Sequence, residues 1–296
     1  MERGVTAGRG GMRVGEIVDA AIKLYRAQAV KLWKIVLLIS VPIAVIDQLI
    51  FISSLPSGVF AHNGDLYVNV FVSTYSPSAW VVIVPLVLQF LAAPALTLGA
   101  LSKCLLDAYT GRPTDWRASV AFAFRRLGPL VWLSILVSIA VVIGFILIVL
   151  PGIWLLVGCS VSVPVLMFEG IGGFAAIRRS LGLVRGRWWA TFAALLVGAI
   201  LIALVEFVIG LVIGGVEAGL HVNSVALVIV LRAVTFILTT LIAYPFYAAI
   251  ATVIYIDLRV RKEALDLELL ADGFTGHAQA PSSPATQAGS VPPPFG

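Results

Sequence analysis

The chain has 296 residues, of which 60% are hydrophobic and only 12% charged, and its mean hydropathy is +1.05. Soluble domains run nearer a quarter charged, so an ordinary water-soluble enzyme, a disordered polymer, a disulfide scaffold and a nucleic-acid reader are excluded for the bulk of it. The net charge of +5 fits Lys and Arg kept on the cytoplasmic side of a bilayer, because the basic residues lie between apolar segments.

Residues 1–13 read as a flexible N-terminus, 14–271 as a membrane domain, and 272–296, with Pro281, Pro284 and Pro292 to Pro294, as a disordered cytoplasmic tail. Glu16, Asp19, Lys23 and Arg26 form a polar stripe opposite Ile17, Ala21, Leu24 and Tyr25, which predicts an amphipathic surface helix. Apolar spans are then expected near 32–53 and 79–105, separated by the outer connection 54–78. The 1–31 segment is charged throughout, so the first span is expected to direct insertion.

Next, Trp116, Val120, Phe124 and Leu127 face Arg117 and Arg125 in a second amphipathic segment. It feeds spans at 129–150 and 153–169, joined by Leu150-Pro151-Gly152, which reads as a tight turn. A third amphipathic segment places Phe174, Ile177, Leu181 and Val184 against Arg178 and Arg185, ahead of spans at 189–214 and 225–256. The fold class is therefore all-α and polytopic. Six transmembrane helices form three hairpins, each preceded by a cytoplasmic-interface helix, as parallel repeats about the membrane normal.

Nineteen of the 20 Lys and Arg residues fall on alternate sides of these spans, Arg232 being the exception. The positive-inside rule then puts both termini in the cytoplasm of a plasma-membrane protein. Trp33, Trp132, Trp188 and Trp189 are placed near inner helix ends and Trp80 and Trp154 near outer ends, as headgroup anchors. Cys104 and Cys159 sit at different depths, so no disulfide joins them.

Within the spans, Asp47, Glu206 and Arg232 are the ionisable candidates, since charge in hydrocarbon marks function or pairing. At 1.5 Å per residue, Asp47 and Glu206 lie ~20 and ~25 Å from the inner edge and Arg232 ~36 Å. Glu206 and Arg232 are each 13 residues from Gly219, which sets them level in a hairpin. The expectation is an ion pair facing the bundle interior with Asp47 nearby, either a lock between helices or a substrate site.

Arg178, Arg179, Arg185 and Arg187 beside Trp188 and Trp189 are expected to meet anionic lipid headgroups. Ordinary orientation by charge explains them equally well. His62, Asp65, Glu217 and His221 share outer loops but lack ligand spacing, so no metal or other cofactor is implied. Pro85 and Pro94 mark kinks in the second span, Pro42, Pro164 and Pro245 also lie in spans, and Gly210, Gly214 and Gly215 suggest close helix contact.

Several stretches bear a family likeness: Val14 to Arg26, Pro151-Gly152-Ile153-Trp154, Val163 to Gly170, Arg178 to Trp189 and Asp257 to Glu263. In these the chain resembles the membrane-domain family of bacterial glycerophosphoryl diester phosphodiesterases, from about residue 13 to 271. The resemblance implies a polytopic helical domain, sometimes attached to a catalytic barrel. That barrel, with its acidic and histidine metal site, is absent here: the chain has three histidines and no long hydrophilic stretch beyond the 25-residue tail.

The function expected is a non-catalytic membrane module, a scaffold or partner-binding subunit near lipid or envelope metabolism. Its partners would be the bilayer, anionic headgroups and an unidentified membrane protein, with no nucleic acid. The alternative is a carrier or flippase for a lipid or small phosphate compound, using Asp47, Glu206 and Arg232. An intramembrane hydrolase ranks last, for want of any nucleophile–base arrangement in the spans.

Overall fold

The computed structural model describes residues 12–54, 83–84, 87, 91–219 and 225–263, with side chains for all of these except 44, 47–54, 217–218, 225–229 and 232. The described residues are helical throughout apart from short connections, with no strand among them.

The first helix, α1, runs unbroken from Val14 to Ser54. A separate surface helix before the first span was expected; instead the two are one rod. Nothing between Tyr25 and Leu32 breaks a helix, and Ala, Gln and Lys there favour one. Its buried stripe is Ile17, Ala21, Leu32, Ile35, Val36 and Ile39, spaced by three, four or their sums, as a helix packed on one side requires. At 1.5 Å per residue, 41 residues reach ~60 Å, about twice a hydrocarbon core.

Helix α2 (Ala93–Tyr109) follows a widened π turn at 91–92, with Pro94 in its first turn where no amide donor is needed. A kink was expected at Pro94; the π turn directly precedes it, and residues 85–86 and 88–90 lie outside the described residues. Pro85 lies outside the described residues. Helix α3 (Trp116–Arg125) is capped by the Asp115 carboxylate, which accepts from the Arg117 amide at 3.0 Å. It leads into α4 (Leu127–Leu147).

The turn after α4 is not where the sequence pattern put it. Ile148 alone is extended (φ −164°, ψ 150°), and α5 (Val149–Gly158) begins at once. Pro151 is accommodated in the first helical turn. Gly152 serves close approach rather than turning: a Cβ on Gly144 would sit 2.9 Å from the Gly152 Cα, and one on Gly152 2.6 Å from the Phe145 ring.

The span expected at 153–169 is broken. After α5 the chain opens at Cys159-Ser160-Val161 and resumes as α6 (Ser162–Glu169). Pro164 cannot donate to the Ser160 carbonyl, so the ladder is interrupted there. Serine hydroxyls donate to carbonyls around the opening: Ser160 to Val157 O (2.8 Å), Ser162 to Cys159 O (2.6 Å) and Ser180 to Gly158 O (2.6 Å).

Gly170 (φ 75°) ends α6 in the left-handed conformation. There follow α7 (Gly173–Val184), α8 (Trp188–Gly219) and α9 (Val225–Glu263). Helix α9 is the hub, packed on α1, α8 and α2. Its Ala248, Ala249, Ile250, Val253, Ile254 and Tyr255 share one core with Leu32, Ile35, Leu101, Leu105 and Leu130.

Among the described residues, four segments are long and apolar enough to cross a membrane: Leu127–Leu147, Val149–Glu169, Trp188–Val216 and Ala233–Glu263. Within its most apolar window the third is only 6% buried, against 56% for the second and fourth. Such a bare apolar helix is unstable in water and ordinary in lipid. The chain is an all-helical membrane protein. The outer connection 55–78, residues 1–11, and the tail lie outside the described residues.

Candidate functional site

Charged side chains gather where α6, α7 and α9 end or turn. Arg179 on α7 donates to Glu169, the last residue of α6, through Nε (2.9 Å) and Nη2 (3.3 Å), and its Nη2 also pairs with Glu263 at the end of α9. Arg259, one turn before Glu263, holds its other oxygen at 2.8 Å and stands over the Phe168 ring at 5.1 Å. The Tyr255 hydroxyl donates to Glu169 Oε1 at 3.0 Å.

Two guanidiniums and two carboxylates thus neutralise one another in a partly buried site, which makes it tolerable away from bulk water. Burial works against the charge on Arg179, yet the hydrogen bonds it donates to Glu169 and Glu263 prevail and raise its pKa above the ordinary arginine value.

Two further clasps join the same end. Asp257, 4% exposed, accepts from the Met12 amide at 2.8 Å and from Arg261 Nε at 3.1 Å. Arg261 and Arg187 both donate to the Met12 carbonyl, at 3.2 and 3.5 Å. The Lys262 ammonium donates to the Gly182 and Arg185 carbonyls at 2.7 Å each, covering the C-terminus of α7 where cations are favoured. Arg126 does the same for α6, donating to Leu166 O at 2.9 Å.

The predicted site residues fare differently. Of Arg178, Arg179, Arg185 and Arg187, only Arg178 and Arg185 are exposed. Arg179 is taken up by Glu169 and Glu263, and Arg187 is half-buried against Met12. Glu206 is exposed on the outside of α8, whereas an interior position was expected. The bundle simply does not cover that part of α8. The side chains of Asp47 and Arg232 lie outside the described residues, as do His62, Asp65, Glu217 and His221.

Other expectations also shift. The most buried residues of α7 are Ala176, Ser180, Leu183 and Val184; of the expected apolar set Val184 is buried, Ile177 packs against the core, and Phe174 is 70% exposed. Likewise α3 buries Ser119, Val120 and Ala123 and turns Phe124 outward. Small residues allow close packing on the bundle, and the big rings are left for surroundings.

Trp188 Nε1 lies 3.4 Å from the Trp154 carbonyl, so these two do not mark opposite ends. Cβ atoms on Gly210, Gly214 or Gly215 would meet nothing within 4 Å. The close glycine contact is Gly198, where a Cβ would fall 2.2 Å from Ile250 Cδ1 of α9. Cys104 and Cys159 are free and buried.

Sequence reading passed over Glu169, Tyr255, Arg259 and Glu263. The available signal was that two carboxylates, Glu169 and Glu263, stand at span ends among a surplus of arginine. No family model matches the chain, and neither any curated protein nor any solved structure shows significant similarity to it.

Proposed function

We propose that this chain is a non-catalytic integral membrane module, a scaffold or partner-binding subunit beside lipid or envelope metabolism. In this reading it crosses the plasma membrane six times as three hairpins, and its two ends lie in the cytoplasm. In the same reading it is a relative of the membrane domains that accompany glycerophosphoryl diester phosphodiesterases. The distribution of Lys and Arg supports the orientation.

The observation that carries the reading is the corner between α7 and α8. Internal partners take Arg179 and most of Arg187, while Arg178 and Arg185 stay exposed beside Phe174 and Trp189, 70% and 76% exposed. Cations next to outward aromatic rings suit anionic headgroups and a neighbouring membrane protein.

An Arg178→Cys variant tests this. Cross-linking from that position in intact cell membranes should give one discrete protein adduct, abolished by Trp189→Asp. Purified chain in liposomes that by itself moves labelled lipid or glycerophosphodiester across the bilayer would overturn the reading in favour of a carrier.

A further inference from the structure

Where α5 breaks from α6, the bundle encloses a hollow of about 200 Å³ between α2, α4 and α9. A single water needs only about 10–15 Å³ of such space, so the hollow takes a group of several atoms. The groups lining it include Ser102 of α2, Ser134 and Ser138 of α4, Ser160 and Ser162 of the break, and Tyr247 of α9. Among the described residues no charged one lines it; the remaining wall includes Leu98, Val137 and Val163.

The hydroxyls are unusual in what they leave undone. A serine or threonine in an apolar helix ordinarily satisfies itself on its own preceding turn. Thr235 and Thr239 of α9 do so, donating to Leu231 O and Thr235 O at 2.9 and 3.0 Å, and Ser119 of α3 donates to Asp115 O at 2.9 Å. Ser160 and Ser162 are spent on the carbonyls of the break. Ser102, Ser134, Ser138 and Tyr247, by contrast, make no hydrogen bond among the described residues. Ser102 is only 1% exposed, so its hydroxyl has no other outlet than the hollow. A buried hydroxyl without a partner is costly; Ser102 is that case, and half-buried Ser134 with Ser138 and Tyr247 at the rim line the same space, so the wall suits a ligand that both donates and accepts.

The position says where that ligand comes from. Ser138 is 11 residues into the 21 of α4, ~17 Å along its axis, which is the middle of that apolar helix. Ser138 and Tyr247 are both exposed at the rim, so the hollow opens sideways, between α4 and α9, rather than at a charged helix end. Its contents therefore exchange with the hydrocarbon layer.

We propose that this hollow is a binding site for an uncharged, polyhydroxylated group, the glyceryl head of a neutral lipid or a small free polyol. The hydroxyls of Ser102, Ser134, Ser138 and Tyr247 hold the group, and the apolar wall takes the adjoining chain. An anionic headgroup is disfavoured, since no cation is at hand to offset its desolvation. This assignment is independent of whether the chain is a scaffold or a carrier.

The test uses full-length protein in nanodiscs and a photoactivatable monoacylglycerol, with peptide mapping of the adduct. Labelling is expected on the α4, α6 or α9 residues around the hollow, and to fall about tenfold in Ser102→Val/Ser138→Val, as loss of two modest hydrogen bonds predicts. Ser138→Leu, at the exposed rim, gives the same readout if the Ser102 change impairs folding. Thr239→Val, whose hydroxyl is self-satisfied, should label normally.

Excess monoacylglycerol should compete and phosphatidic acid should not. Competition by glycerol assigns the site to free polyols, and its failure assigns it to lipid. Labelling spread outside the hollow, unchanged in both serine variants, or displaced by phosphatidic acid as well as by monoacylglycerol, would overturn the proposal.

Discussion

Arg179 and Glu169 meet side-on across the Gly170 turn, with two parallel contacts of 2.9 and 3.3 Å between guanidinium and carboxylate. Paired geometry of this kind is the stronger form of ion pair. Removing the cation leaves Glu169 and Glu263 with Arg259 alone. Arg179→Gln should therefore lower unfolding stability by about 2 kcal/mol, as for hydrogen bonds to charged groups. A double-mutant cycle with Glu169→Gln in a detergent unfolding assay should give a coupling near 1 kcal/mol; additivity would show the pair to be incidental.

Glycines divide into two classes. Gly144→Val should destabilise by about 1–3 kcal/mol, because its Cβ alone would press on the Gly152 backbone at 2.9 Å and backbone cannot swing aside. Gly210→Ala, with nothing within 4 Å, should be neutral or slightly stabilising through helix propensity. Thermal unfolding of the two variants side by side checks the contrast.

Ser180 is fully buried and donates to Gly158 O at the α5–α6 break at 2.6 Å. Ser180→Ala orphans that carbonyl and should cost about 1–3 kcal/mol. Amide hydrogen exchange should rise at Cys159 to Ser162 and stay unchanged in α4. Uniform protection would mean the break needs no hydroxyl from α7.

Asp257 ties the chain at Met12 to α9. Asp257→Asn weakens that tie and frees Arg261 from its partner. Limited proteolysis should then cut ahead of α1 several-fold faster, with the core fragment intact. An unchanged cleavage rate would place the anchor elsewhere.

The helices were legible in the sequence because lipid demands long apolar runs, and α4, α8 and α9 stand close to where hydropathy and the charge pattern put them. What hydropathy could not report were events that leave it unchanged. The fusion of the surface helix with the first span in α1 depends only on the absence of a breaker. The opening at Cys159 to Val161 depends on Pro164, four residues after Ser160, although both flanks are apolar. The faces expected on α3 and α7 hold for Trp116, Val120, Leu127, Ile177 and Val184, which lie in or against the core, but Phe124 and Phe174 turn outward while the small Ala123 and Ala176 are buried.

For the site, single arginines were visible, but their partners Glu169 and Glu263 lie 94 residues apart and only the fold joins them.

The most direct test is accessibility labelling in right-side-out membrane vesicles, using single cysteines at Gly215 and Gly182. The native Cys104 and Cys159 are buried and should stay silent, while Gly215, near the far end of α8, and Gly182 on α7 are exposed. An impermeant maleimide should label Gly215→Cys at once and Gly182→Cys only after permeabilisation. Equal labelling of both from outside, or the reverse order, would contradict a bundle whose charged end faces the cytoplasm.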